Sequence, residues 1–72
     1  MYIVYSKSDC HQCEKAISLL SKKRLNFKVL KLNEDYMRDD LLELFPSARS
    51  LPQIIGPNDE RIGGYDQLSR II

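Results

Sequence analysis

A chain of 72 residues has one pair of cysteines, Cys10 and Cys13, and they sit three positions apart. So short a chain buries only about 60% of its unfolded surface. Domains of this size usually lean on several disulfides, a metal or very tight packing. A bridge across so short a loop removes little freedom from the unfolded chain. The pair is badly placed to staple a fold, which turns attention to its chemistry. The expectation is a single domain over residues 1–72, held by side-chain packing alone.

The hydrophobic pattern assigns the elements. Tyr2-Ile3-Val4-Tyr5 is a short β-branched and aromatic run, and reads as a buried strand. Cys13, Ala16, Ile17 and Leu20 then recur at helical spacing, predicting a helix from about Cys10 to Arg24 with Ser8 or Asp9 as its cap. Lys22, Lys23 and Arg24 fall in its last turn, where positive charge suits the helix dipole. Phe27 to Leu32 reads as a second strand, Phe27 and Val29 facing one way, Leu30 and Leu32 the other. Apolar residues on both faces predict an interior place in a sheet covered on two sides. Strand, helix and strand at this spacing make a right-handed βαβ unit.

A second helix is expected over Asp35 to Phe45, with Tyr36, Met37, Leu41, Leu44 and Phe45 as its apolar face and Pro46 as its stop. Gln53-Ile54-Ile55 and Arg61-Ile62 flank a cluster of turn residues, Gly56 to Glu60, and predict an antiparallel hairpin. A short helix from about Tyr65 to Ile72 closes the chain, with Leu68, Ile71 and Ile72 facing inward. The result is an α/β domain: βαβ, then α-ββα, a four-stranded mixed sheet with helices on both faces.

Charge narrows the partners. A net charge of +1 is too near neutral to make nucleic acid or an anionic membrane the expected partner. Residues 1–31 nevertheless carry Lys7, Lys15, Lys22, Lys23, Arg24, Lys28 and Lys31 against only Asp9 and Glu14. Each of these also fits a solvated face; together they set a mildly positive field around the cysteines. The apolar N-terminus is too short for a signal peptide, and no stretch is long enough to cross a bilayer. A cytoplasmic location is the expectation, and there a C-x-x-C pair is more often redox-active or metal-binding than structural.

Cys10-His11-Gln12-Cys13 falls where the first strand hands over to the first helix. A sulfur at a helix start meets free backbone N–H groups and the positive end of the dipole, both of which favour a thiolate. Lys7 lies three residues upstream and adds to this. Cys13, one turn further in, is placed to close a disulfide with Cys10. Lowering a thiol pKa from about 8.5 to about 5 raises the thiolate fraction at pH 7 roughly thirtyfold. A Brønsted slope of about 0.4–0.5 lowers intrinsic nucleophilicity by a similar factor. Attack gains little; departure of Cys10 from a mixed disulfide gains most. Structural zinc needs four ligands, and His11, wedged between the cysteines, is the one other soft ligand. No metal is expected.

Three segments resemble the glutaredoxins. Tyr5-Ser6-Lys7-Ser8-Asp9-Cys10-His11-Gln12-Cys13 looks like their active-site segment, Ala48-Arg49-Ser50-Leu51-Pro52-Gln53 like their Thr-Val-Pro region, and Gly63-Gly64-Tyr65-Asp66 like their Gly-Gly-aromatic-Asp. Their order and spacing span nearly the whole chain, and its brevity is similar to that of short phage-type members. The resemblance implies a thioredoxin-like fold and a monomeric thiol–disulfide oxidoreductase with catalytic Cys10 and Cys13 and glutathione as co-substrate. It implies a cis Leu51–Pro52 bond, leaving the Leu51 backbone free to pair with a peptide bonded to Cys10. It further implies that Lys7 and Arg49 hold the glycine carboxylate of glutathione. The Gly63 and Gly64 N–H groups, with Asp66, would take the γ-glutamyl end, and Gln12 and Tyr65 complete the set.

Two residues depart from the family pattern, which has Pro-Tyr where this chain has His11-Gln12. An imidazole beside Cys10 is expected to modulate its thiolate. Gln12 is similar to the Cys-x-Gln-Cys of NrdH-redoxins, which are recharged by thioredoxin reductase. Disulfide-containing proteins such as ribonucleotide reductase are the clients implied. An iron–sulfur carrier, two chains sharing a cluster through Cys10 and two glutathiones, is the alternative of another class.

Overall fold

The computed structural model describes residues 1–72. The elements run β1 (Tyr2–Ser6), α1 (His11–Lys22), β2 (Phe27–Lys31), α2 (Arg38–Leu44), β3 (Gln53–Ile55), β4 (Arg61–Gly63) and α3 (Tyr65–Ile71). One sheet contains all four strands in the order β2-β1-β3-β4. β1 pairs in parallel with β2, Val4 against Val29, and antiparallel with β3, Val4 against Ile54. β3 and β4 form the antiparallel hairpin, with an irregularity between Ile54 and Ile55. No helix is long and apolar enough to cross a membrane.

The period-two alternation of β1 sorts the core into two layers. Val4 and Ile54 face one side, where they pack with Ala16 and Leu20 of α1 and Leu68 of α3. Tyr5 and Ile55 face the other, against Tyr36 and against Leu41 and Phe45 of the α2 region. Ring edges lock this second layer: Tyr5 meets Tyr36 edge-on at 5.0 Å between centroids, and Phe45 at 6.4 Å. β1 is thus covered on both faces and paired on both edges. The loop carrying Cys10 springs from its end.

Several expectations are corrected. Phe27–Lys31 is an edge strand, not an interior one. Its side chains face as expected, Phe27 toward the α1–α3 layer and Leu30 toward the α2 layer. Apolar residues on both faces report two covered faces; they do not require two neighbouring strands. Lys28 and Lys31, both exposed, guard the open edge. The second helix starts at Arg38 rather than Asp35, because acidic side chains capture backbone donors ahead of it. Asp35 accepts the Lys31 N–H at 2.8 Å, and Asp40 accepts the Met37 N–H at 2.9 Å. Asn33 turns the chain at φ 69°. Met37 is consequently outside the helix and 58% exposed. The first helix ends at Lys22, with Lys23 as its C-cap and Arg24 in the left-handed region at φ 57°. In α3, Leu68 is fully buried, and Ile72 just past the helix packs beside it, but Ile71 falls on the outer face and is 61% exposed rather than facing inward.

Ser6 closes β1. Its hydroxyl donates to the Leu30 carbonyl at 3.1 Å. Its own carbonyl accepts both the Leu32 N–H at 2.9 Å and the Tyr36 hydroxyl at 2.8 Å. Burial, with Tyr5 alongside, pushes the Tyr36 phenol up from 10.0 to about 12. The unfolded chain therefore loses this proton first. The neutral phenol's contribution is full below pH 10.0 and is lost as pH rises toward about 12. Urea denaturation across that range should show the fall, and Tyr36→Phe should lack it; an identical fall in the variant would contradict the assignment. Leu20→Ala, at a fully buried position, should cost about 2–5 kcal/mol in the same assay.

Candidate active site

Cys10 is itself the N-cap of α1, not Ser8 or Asp9. It holds the extended conformation of a cap (φ −119°, ψ 101°), and its sulfur accepts the Cys13 N–H at 3.2 Å. This is the bond a serine or aspartate oxygen makes at other helix starts. Asp9, immediately before it, lies in the left-handed region at φ 53° and turns the chain into the helix. Cys10 and Cys13 are joined as a disulfide with their Cα atoms 5.2 Å apart. Residue exposure ranks them: Cys10 retains 8% and Cys13 only 2%.

The Leu51–Pro52 bond is cis, as the sequence resemblance implied. The Leu51 carbonyl oxygen stands 3.6 Å from the Cys10 sulfur. The sulfur is therefore addressed from two sides by groups of opposite sense. The Cys13 N–H and the helix dipole favour a thiolate, whereas the Leu51 carbonyl favours a protonated thiol. The donor is nearer and is backed by the dipole of a twelve-residue helix, an arrangement suited to a thiolate once the disulfide is reduced.

Two hollows meet at Ser50 and Leu51. One, of about 230 Å³, brings Lys7 and Arg49 together with Arg38 over an apolar floor that includes Leu41 and Leu51. The other, of about 280 Å³, gathers Gln12, Leu51, Pro52, Gly64, Tyr65 and Asp66. Lys7, Arg49, Gln12, Pro52, Gly64, Tyr65 and Asp66, singled out in the sequence, thus line two hollows that share the Ser50–Leu51 segment, whereas Cys10, Cys13 and His11 line neither. His11 lines a different hollow, on the α1–α3 side, with Glu14, Lys15 and Tyr65. There the Lys15 ammonium lies 4.5 Å from the centre of the Tyr65 ring.

Arg38, Ser50 and Gln67 escaped the sequence reading. Gln67 lines the second hollow and accepts the Gly64 N–H at 2.9 Å. The Gly64 N–H is thus already engaged and is not a free donor for a ligand, contrary to expectation. The signal was present: a glutamine three residues past a helix cap is the usual partner of that cap's N–H. Gly63, at φ 110°, makes the turn that brings Gly64 alongside Pro52. A Cβ on Gly64 would stand 3.6 Å from the Pro52 carbonyl oxygen.

A sheet-backed helix that begins on the sulfur of a C-x-x-C pair, beside a cis-proline segment, defines a thiol–disulfide oxidoreductase of the thioredoxin-like fold. The family model for glutaredoxin matches residues 2–62, and the chain belongs to that family. Among curated proteins, no sequence matches the chain. Of solved structures, glutaredoxin 1 from Francisella tularensis, complexed with cacodylate, superposes with a TM-score of 0.80 at 20% identity, over 96% of this chain and 87% of that one. Wheat glutaredoxin gives 0.80 at 26% identity over 97% and 69%. A buckwheat glutaredoxin–glutathione complex gives 0.80 at 20% identity over 96% and 64%, so this chain spans under two thirds of that protein. At these identities the likeness concerns the fold. The Gly63-Gly64-Tyr65-Asp66 segment lies just beyond the matched residues.

The exposure difference between the cysteines predicts their order of reaction. On the reduced protein, substoichiometric iodoacetamide should modify Cys10 ahead of Cys13, as read by peptide mass spectrometry; equal labelling would contradict the site as described.

Proposed function

We propose that the chain is a dithiol, glutathione-dependent oxidoreductase that reduces protein disulfides and glutathione mixed disulfides in the cytoplasm, working as a monomer. The observation that carries this reading is the pair of hollows meeting at Leu51, beside the Cys10 sulfur. Glutathione has a glycine carboxylate at one end and an α-amino acid at the other, with its sulfur between. The hollow with Lys7 and Arg49 suits the carboxylate through charge-assisted hydrogen bonds. The groove with Gln12, Pro52, Tyr65 and Asp66 suits the γ-glutamyl end, the Asp66 carboxylate suiting its ammonium. The Leu51 backbone suits the peptide between them.

In this mechanism the Cys10 thiolate attacks a substrate disulfide and forms a mixed disulfide, releasing one substrate thiol. Cys13 then attacks the Cys10 sulfur, releases the second thiol and closes the disulfide seen here. Glutathione thiolate attacks the more exposed sulfur, Cys10, and Cys13 leaves. A second glutathione takes the first away as oxidised glutathione, returning the dithiol. No metal enters these steps. By family analogy, ribonucleotide reductase is the proposed protein client.

A coupled NADPH assay tests the electron source. Turnover with glutathione and its reductase is expected; turnover with thioredoxin reductase alone would replace this reading with an NrdH-like one. Cys13→Ser should keep activity on a glutathione mixed disulfide while losing most activity on protein disulfides, and equal loss on both would refute the division of labour. Arg49→Ala should raise KM for glutathione about tenfold with little change in kcat, the scale of one hydrogen bond to a charged group; an unchanged KM would remove Arg49 from the site.

A further inference from the structure

The two-hollow site leaves one step unserved. Cys13 must lose a proton to attack the mixed disulfide, and must regain one when it leaves, yet it is 2% exposed. A thiol cut off from water gives up its proton reluctantly.

A further cavity reaches it. About 150 Å³ in volume, it is lined by both cysteines, by the Ser6–Asp9 loop, by Val29 and Lys31 of β2, and by Glu14 and Ile17 of α1. A water needs only about 10–15 Å³ of such space. Cys10, Cys13, Glu14 and Ile17 are spaced i, i+3, i+4 and i+7, so they form one stripe down α1. The stripe leads from the disulfide to a carboxylate. Glu14 is itself exposed to bulk solvent.

We propose that Glu14 is the proton acceptor and donor for Cys13, acting through water in this cavity. In the closing direction the Cys13 sulfur attacks the Cys10 sulfur, and the Cys10–substrate S–S bond breaks. The substrate leaves as a thiolate, and the Cys13 proton passes to the Glu14 carboxylate. Cys13 sulfur is oxidised and the substrate sulfur reduced. In the opening direction Cys13 leaves as a thiolate and Glu14 returns the proton. The charged groups facing the cavity are Lys7 and Asp9 from the loop and Lys31 from β2. On its other side Glu14 borders His11, Lys15 and Lys22 of α1 and Tyr65 of α3. Asp9 is the competing carboxylate, but it precedes Cys10 and lies off the helical stripe. This assignment rests on the disulfide exchange common to the family and not on glutathione as the reductant.

The test uses the reduced chain and 5,5′-dithiobis(2-nitrobenzoate), followed by stopped-flow absorbance. Attack by Cys10 releases one coloured thiolate, and closure by Cys13 releases the second. The ratio of second to first rate is the readout, because it isolates the Cys13 step from changes in the attack by Cys10, and far-ultraviolet circular dichroism confirms that the variant is folded. In Glu14→Gln that ratio should fall at least about tenfold at neutral pH, a conservative threshold beside the roughly hundredfold or more that general acid–base catalysis contributes. The second rate should then keep climbing through the alkaline range where the parent levels off. Glu14→Asp should recover most of the loss. An unchanged ratio in Glu14→Gln, or a fall confined to Asp9→Asn, would overturn the assignment. Glutathione enters neither step, so failure of the glutathione reading leaves this result interpretable.

Discussion

Helix α1 begins on a sulfur. At most helix starts an oxygen of serine, threonine, aspartate or asparagine takes the first free N–H group; here the Cys10 sulfur takes that of Cys13 at 3.2 Å. The consequence runs in both directions. The helix gains its cap from the reactive atom, and the reactive atom gains a hydrogen-bond donor and the positive end of a dipole. When Cys10 is held in a disulfide the cap persists, since the sulfur remains an acceptor. An anionic sulfur after reduction would be a stronger acceptor for the same bond. The redox state of the site is therefore tied to the start of the helix that walls one side of the core.

That arrangement works only if β1 holds still. Its last residue, Ser6, is fixed by its hydroxyl on Leu30 and by Leu32 and Tyr36 on its carbonyl. Four residues later the chain reaches Cys10. A chain of 72 residues has little core to spare, and this one concentrates it around β1: Val4 toward α1 and α3, Tyr5 toward Tyr36 and Phe45. The cis-Leu51–Pro52 segment leads directly into β3, the other neighbour of β1. The two walls of the site are thus anchored to adjacent strands, so their separation is set by sheet pairing.

The elements with strong periodicity were legible in the sequence. The stripe of Cys13, Ala16 and Leu20 announces α1, and Gly56 to Glu60 announces the hairpin. What misled was local capture of backbone donors by polar side chains. Asp35 and Asp40 delay α2 by engaging Lys31 and Met37, a competition that hydrophobic spacing does not register. The edge position of β2 was hidden for another reason: layers above and below a sheet make both faces apolar wherever the strand sits. In the site, most motif residues expected to contact a ligand line the two hollows that meet at Leu51, whereas His11 lies in another. Gln67 and Arg38 come from outside the motifs and meet the hollows only through tertiary packing. Glu14 belongs to the same class, since its significance depends on a cavity closed partly by β2.

The account turns on whether amide donors at the α1 tip hold the Cys10 sulfur as an anion. The direct measurement is the thiolate ultraviolet absorbance of the reduced protein as a function of pH, with Cys13→Ser to assign the transition. Cys10 is predicted to ionise well below the value of about 8.5 for a free cysteine. Ionisation at or above that value would mean that the Leu51 carbonyl and burial outweigh the cap, and the proposed chemistry would have no nucleophile at neutral pH.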